Sequence, residues 1–304
     1  MFARRHPYMY FMMVMASIFS LFILSALGIA VGGAIFVNSS IAELDKENAG
    51  NVGVIELNGI ILSSKDVIAH LKTFRESSDI KAIVIRIDSP GGGVAPSQEI
   101  YREIMKTRKE KTVVASLGSV AASGGYYAAA SCEGIVASPG TITGSIGVIM
   151  QYTNFQELAQ KIGLLPVVIK SGEFKDLGSP VRELGDDERL ILQSVADEIH
   201  MQFVKDAAHA RKMEIDDMEE LADGRIYTGE SALSLKLVDR LGNLDDAVAW
   251  AGELAGIEGE IRTVYPREDR RTLLKKMLHS LARTLLKESG ISGTVSDHFR
   301  FIVN

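Results

Sequence analysis

The chain has 304 residues, of which 46% are hydrophobic and 24% charged, a balance typical of a globular protein with one or two domains rather than of a disordered chain. Its 33 basic and 39 acidic side chains give a formal charge of −6, which disfavours a nucleic-acid partner because such partners call for a basic face. A single cysteine, Cys132, excludes an intramolecular disulfide and a zinc site built on paired thiolates.

The N-terminal segment 8–37 contains no charged residue. About 20 apolar residues suffice to cross the hydrocarbon core as a helix, so the sequence predicts one transmembrane anchor. Arg4 and Arg5 precede this segment, and the positive-inside tendency then places residues 1–7 in the cytoplasm and the rest of the chain outside the cytoplasmic membrane. A cleavable signal peptide is the alternative, because residues 25–34 are rich in small side chains.

A polar linker, 38–51, leads into a main domain, 52–256, in which strand-like and helix-like stretches alternate. The predicted strands are short, rich in β-branched residues and bounded by Gly, Pro or Ser, and they are Val52–Leu62, Ile80–Ile87, Val113–Leu117 and Pro166–Ile169. The predicted helices have apolar residues at helical spacing, and they are Asp66–Phe74, Pro96–Lys109, Asn154–Ile162 and a long one from Asp186 to about Lys212. This alternation predicts an α/β domain with parallel strands joined by right-handed crossovers.

The C-terminal segment, 257–304, contains a predicted basic amphipathic helix. Its apolar residues between Leu274 and Leu285 recur on one face, and basic side chains occupy the rest of the turn. Such a helix can lie on an anionic membrane surface or dock onto another subunit, and the sequence leaves both open.

Three consecutive glycines, Gly91–Gly93, follow the predicted strand that ends at Ile87. Glycines at the carboxyl end of a parallel strand let backbone N–H groups approach a ligand closely. The loop is neither a Walker loop nor the dinucleotide-binding pattern G-x-G-x-x-G. A tight turn without a binding role is the alternative.

A second loop, Ser119–Ser131, follows the predicted strand that ends at Leu117 and places Ser123 before two glycines. A serine at a strand-to-helix junction can point its hydroxyl into a cleft, while the N–H of Gly124 faces a developing oxyanion. Ser123 is therefore the candidate nucleophile. The alternative is that the small residues of this loop only permit close packing.

A serine nucleophile needs a base, and none of the six histidines falls in a glycine-rich or strand-end loop. A lysine can replace histidine where burial favours a neutral amine. Lys175 follows the predicted strand that ends at Ile169 and lies near the apolar residues Phe174 and Leu177, so it is the best-placed lysine. A solvated surface charge is the alternative.

Five motifs in one order make the region Val52–Gly242 resemble the bacterial signal peptide peptidases of the SppA type, which are related in fold to the Clp protease and the crotonases. The motifs are DSPGGG at 88–93, AASGGYYAA at 121–129, TGSIGV at 143–148, SGEFKDLGSP at 171–180 and GRIYTGESALSLKLVDRLG at 224–242. The resemblance implies a repeated β-β-α spiral with parallel sheets, in the short form of the family that has one copy of each motif. Lys236 departs from the pattern, because the family often has glycine there.

The resemblance implies a catalytic role for three side chains: Ser123 as the nucleophile, Lys175 as the general base and Ser145 as the hydroxyl that orients the lysine amine. The oxyanion hole would consist of backbone N–H groups, those of Gly91, Gly92 and Gly124. No metal and no cofactor are expected in such a hydrolase.

The resemblance also implies a homo-oligomeric, dome-like ring, an octamer being one size, in which adjacent subunits share the serine and the lysine of one active site. Substrates would be peptides, spent signal peptides above all, reached at the outer face of the membrane. Two rival classes stay open at this point: a crotonase-like acyl-CoA enzyme and a non-catalytic membrane scaffold.

Overall fold

A computed structural model describes residues 50–266 without a gap, together with scattered positions between 8 and 28 that are helical. Most of the predicted anchor, the linker up to residue 49 and the predicted C-terminal helix lie outside the described residues. No helix within the described part of the chain combines the length and the apolar character needed to cross a membrane.

The domain is built on a mostly parallel sheet. Its strands are β1 Val52–Asn58, β2 Ala82–Ser89, β3 Thr112–Ala122, β4 Gly134–Ala137, β5 Ile142–Gly144, β6 Ile226–Thr228, β7 Arg240–Leu241 and β8 Thr263–Val264. They follow one another in space as β6-β5-β3-β2-β1-β8, while β4 pairs with both β3 and β7. Of the strand pairs in residues 50–266, that of β5 with β6 is antiparallel. The sheet thus continues past residue 256, because β8 pairs with β1.

Helices cover both faces of the sheet. They are α1 Lys65–Glu76, α2 Val94–Thr107, α3 Gly124–Ala130, α4 Gln156–Lys161, α5 Asp186–Arg211, α6 Ile215–Glu220, α7 Gly229–Ser234 and α8 Leu244–Leu254. One face, with Ile55 and Ile85, packs against α1, α2, α3 and α5. The other, with Val54 and Val84, packs against α8. Burial on both faces is why β1 and β2 read as continuous apolar runs.

The sequence-based prediction of a parallel α/β domain is confirmed, but one of its strands is wrong. Residues Pro166–Ile169 form no strand and pair with none within residues 50–266. Val167 is 86% exposed and Ile169 97% exposed. A short β-branched run bounded by Pro looks like a central strand in the sequence, but here the chain supplies no neighbouring strand for it.

Lys236 adopts a left-handed backbone conformation, with φ 60°. The carbonyl of this exposed residue accepts a hydrogen bond from Arg211 Nη2 at 2.9 Å, and Arg211 also pairs with Asp239. This arrangement ties the end of α5 to the chain before β7. Glycine adopts the left-handed conformation without steric cost, which explains why it fits at residue 236.

Replacing Lys236 by glycine should raise the free energy of unfolding by about 0.5–1 kcal/mol. The left-handed conformation costs a non-glycine residue about 1–2 kcal/mol, and glycine removes this cost. The greater conformational freedom of glycine in the unfolded chain offsets only part of that gain. Denaturant unfolding measures the change. Lys236→Ala, which keeps the strain, is the matched control. A Lys236→Gly protein no more stable than Lys236→Ala would contradict this interpretation.

Candidate active site

Ser123 lies at the sharp junction between β3 and α3. Its backbone has φ 51° and ψ −119°, a conformation that costs a non-glycine residue about 1–3 kcal/mol. The surroundings hold it there: the Ser123 N–H donates to the Gly144 carbonyl at 2.8 Å, and the Ser123 carbonyl accepts from the Tyr127 N–H at 2.8 Å. Strained strand-to-helix turns of this kind expose the nucleophilic serine of the α/β-hydrolases.

The glycine loop packs directly against this turn. A Cβ atom on Gly91, which has φ 101°, would lie 2.7 Å from the Gly124 nitrogen and 2.9 Å from Ser123 Cβ. A Cβ atom on Gly92 would lie 2.3 Å from the carbonyl oxygen of Ile61, whose N–H donates to the Gly91 carbonyl at 2.9 Å. No side chain fits at either position, so the close approach of the two loops requires glycine.

Two backbone N–H groups at the turn are available to a ligand. The Gly91 N–H is already used, because it donates to Ser89 Oγ at 3.1 Å. The N–H groups of Gly92 and Gly124 donate to no acceptor within residues 50–266. Gly124 begins α3, and the first N–H groups of a helix have no partner in their own helix. The structure therefore distinguishes among the three glycines that the sequence could only group together.

Ser145 lies beside Ser123. Ala122 is opposite Gly144 where β3 pairs with β5, so the two serines follow at the ends of neighbouring parallel strands. Such strands run about 5 Å apart. Ser145 has φ 52°, and its N–H donates to the Arg225 carbonyl at 2.8 Å. The structure thus brings together Ser123, Ser145 and the glycines.

Lys175 lies apart from this group in the single chain. It is exposed, its N–H donates to the Gly172 carbonyl at 3.2 Å, and its side chain does not line the cavity beside Ser123. Its amine has no hydrogen-bond or ion-pair partner in the part of the chain that the structure describes. The nearby Lys170 differs, because its amine pairs with Asp176 at 2.7 Å. Lys175 therefore carries the unpaired amine of this segment.

A small cavity of about 20 Å³ opens beside Ser123, with room for about one water molecule. Ile199 and Phe203 of the long helix α5 form part of its wall, and the helical pattern of the sequence gives no sign of that placement. Phe203 stacks on Tyr127 with ring centroids 4.2 Å apart. Burial, and then a hydrogen bond to Asp206, raise the pKa of Tyr127, so the Tyr127 hydroxyl stays protonated.

The family model described as peptidase family S49 matches residues 105–258, about half of the chain, and the Clp protease model matches residues 57–143. The chain is 45% identical over 225 residues to slr0021 of Synechocystis sp., whose name describes a protease, a match that covers 73% of this chain and 81% of the relative.

Two further relatives are more distant. The chloroplastic serine protease SPPA of Arabidopsis thaliana is 39% identical, over 67% of this chain and 30% of its own length. A protein of Enterococcus faecium whose name describes a signal peptide peptidase, SppA, is 34% identical, over 69% of this chain and 66% of its own length. The chain thus spans less than two thirds of these two relatives. Because the family model covers half of the chain and the cyanobacterial relative is matched over most of its length, the chain belongs to peptidase family S49 and is a serine peptidase.

Proposed function

We propose that this protein is a membrane-anchored endopeptidase with a Ser/Lys dyad, in which Ser123 is the nucleophile, Lys175 the general base and Ser145 the group that orients the lysine amine. The observation that carries the proposal is the strained Ser123 turn with two unpaired N–H groups beside its hydroxyl. Gly92 and Gly124 would be the oxyanion donors. The N–H of Gly91 is already bonded, so the role of Gly91 would be to let its loop pack closely against the Ser123–Gly124 turn.

The reaction would follow from these roles. Ser123 Oγ attacks the carbonyl carbon of the scissile peptide and passes its proton to the neutral Lys175 amine. The oxygen of the tetrahedral intermediate accepts hydrogen bonds from Gly92 and Gly124, each worth about 3 kcal/mol to the transition state. The lysine then gives its proton to the leaving nitrogen, and water hydrolyses the acyl-enzyme with the same amine as base.

A neighbouring subunit is proposed to complete the site. Lys175 lies in a segment whose apolar side chains are unusually exposed, among them Ile149 at 85%, Leu165 at 80% and Ile169 at 97%. A concentration of exposed apolar side chains in one stretch of the chain favours an interaction site there. Its burial by a second copy would bring the Lys175 amine out of water, which favours the neutral form that a base requires. A ring of subunits, with the dyad shared between neighbours, satisfies both needs, and an octamer is one size for it.

The substrates are proposed to be peptides, and spent signal peptides in particular. The name of the Enterococcus faecium relative describes this activity for that protein. The segment 8–37, which is uncharged, would anchor the chain at the membrane where such peptides are released. Residues 146–154 follow Ser145 and pair with no strand within residues 50–266, so an extended peptide has backbone there with which to pair.

Ser123→Ala and Lys175→Ala should each lower kcat by about 10³-fold or more, because each removes one member of the dyad. Mass spectrometry of the products of synthetic signal peptides measures this. Lys72→Ala, which removes an exposed lysine of α1, is the matched control and should retain full activity. Undiminished cleavage by Lys175→Ala would contradict the dyad, and cleavage of unfolded casein but of no signal peptide would contradict the substrate class.

Mixing the two inactive proteins tests the shared site. If the serine and the lysine come from different subunits, rings assembled from Ser123→Ala and Lys175→Ala subunits contain some sites with both groups intact. Peptidase activity should then return to a fraction of the wild-type value after the mixed subunits are dissociated and reassembled. Mixed rings that form, as native mass spectrometry can show, and yet stay inactive would rule out sharing.

Removal of residues 1–37 tests the anchor. The truncated protein should leave the membrane fraction and appear in the supernatant after cell fractionation, because the uncharged segment is gone. The full chain should be extracted from membranes by detergent and not by alkaline carbonate. Continued sedimentation of the truncated protein with membranes would show that another part of the chain holds it there.

A further inference from the structure

Arg182 bonds to two carboxylates from different parts of the chain, those of Asp176 and Glu188. Its guanidinium uses every one of its N–H groups: Nε donates to Asp176 Oδ2 at 2.8 Å, Nη1 to the Glu183 carbonyl and to Glu188 Oε2 at 2.6 Å, and Nη2 to the Asp176 carbonyl and to Glu188 Oε1. We call Arg182, Asp176 and Glu188 the Arg182 clamp. A planar fork with five donors is needed for this, and a lysine amine cannot reproduce it.

The Arg182 clamp is largely shielded from water and stays charged. The side chains of Glu188 and Asp176 are only 8% and 14% exposed. Hydrogen bonds from Arg182, and then from the Gly185 N–H, lower the pKa of Glu188 to about 2, and Arg182 with Lys170 holds the pKa of Asp176 well below its usual range. Because these pKa values are lowered, the clamp contributes stability above about pH 4 and loses it only as the pH falls towards 2.

The two carboxylates of the Arg182 clamp lie on the Lys175 turn and on α5. Asp176 directly follows Lys175 in the chain. Glu188 lies in the first turn of α5, where it also accepts from the Gly185 N–H at 3.0 Å. About three and four turns further along, the same helix presents Ile199 and Phe203 to the cavity beside Ser123. The clamp therefore connects the turn that carries Lys175, the proposed base, to α5, the helix that lines the cavity beside Ser123.

Within residues 50–266, no hydrogen bond other than those of Arg182 links the Lys175 turn to α5, although the chain just after the turn is bonded to Asn154 and Phe155. The backbone bonds of the turn are local, from the Lys175 N–H to the Gly172 carbonyl at 3.2 Å and from the Leu177 N–H to the Phe174 carbonyl at 3.1 Å. Lys170 reaches across the same turn to Asp176 and the Glu173 carbonyl, which again is a contact inside the turn. The attachment of this turn to α5 thus depends on Arg182.

We propose that Arg182 is a positioning residue for catalysis, which sets the direction in which the Lys175 turn presents its amine. The inference rests on the proposed role of Lys175 as the base and deepens it. Arg182 would act through Lys175, and its side chain does not line the cavity beside Ser123. Loosening the clamp would leave Ser123, Gly92 and Gly124 in place and would affect only the delivery of the base.

The test compares Arg182→Gln and Arg182→Lys with Arg102→Gln in the full, assembled protein. Arg102 on α2 is the matched control, because its exposed side chain has no hydrogen-bond or ion-pair partner within residues 50–266 and lies outside the proposed peptide-binding residues. Both Arg182 variants should lower kcat about 10–100-fold on a short peptide while KM changes less than about twofold, since the residues proposed to bind substrate are unchanged. Arg102→Gln should keep the wild-type kcat.

A double-mutant cycle separates positioning from general damage. In a Lys175→Ala background, Arg182→Gln should cause no further loss of residual activity, because the residue through which it acts is gone. Glu188→Gln, which weakens the clamp while keeping the shape of the side chain, provides the same comparison if Arg182→Gln fails to assemble. Thermal unfolding and ring size are measured for each variant.

Two outcomes would overturn the inference: a kcat for both Arg182→Gln and Glu188→Gln equal to that of Arg102→Gln, or a full, additive loss in the Lys175→Ala background. Failure of the proposed function looks different, since Lys175→Ala itself would then retain its activity. An inactive Lys175→Ala protein together with a fully active Arg182→Gln protein would remove the clamp from the mechanism and leave the dyad untouched.

Discussion

The close approach of Gly91 to the Ser123–Gly124 turn is the contact on which the proposed active site depends. Parallel strands β2 and β3 end side by side, so the loops that follow them meet, and a Cβ atom at residue 91 would collide with the Gly124 nitrogen. The same packing, with the Gly144 carbonyl, holds Ser123 at a positive φ. The hydroxyl and two unpaired N–H groups are therefore in place before any substrate arrives, the arrangement that electrostatic catalysis requires.

The two halves of the proposed site are built differently. The sheet and its glycines fix the nucleophile within one chain, whereas Lys175 lies on an exposed apolar segment that the Arg182 clamp attaches to α5. If assembly completes the site, an isolated subunit has a formed oxyanion hole without its base, and its activity depends on protein concentration. Such an arrangement would keep the peptidase inactive until its subunits assemble.

Strong periodicity made much of the fold predictable. The helix predicted at Asp66–Phe74 is observed at Lys65–Glu76, and the long helix ends within one residue of its predicted end, because apolar spacing and charged first turns are local properties. The sequence could not show that Pro166–Ile169 forms no strand. A short apolar run has the same pattern whether it pairs in the sheet of its own chain or is covered by another surface. The Gly91 N–H is bonded because Ser89 Oγ lies beside it, and sequence spacing does not show that contact. The Arg182 clamp likewise depends on the side-chain geometry of Arg182, which sequence spacing does not show.

The most direct measurement is an experimental structure of the assembled protein with a peptide boronate bound covalently. The account predicts a bond from boron to Ser123 Oγ, one boronate oxygen about 2.7–3.1 Å from the Gly92 and Gly124 nitrogens, and a Lys175 amine, from the same or the adjacent subunit, within hydrogen-bonding reach of Ser123 Oγ. A boronate attached to another residue, or one whose oxygens all face solvent while every Lys175 remains distant, would contradict it.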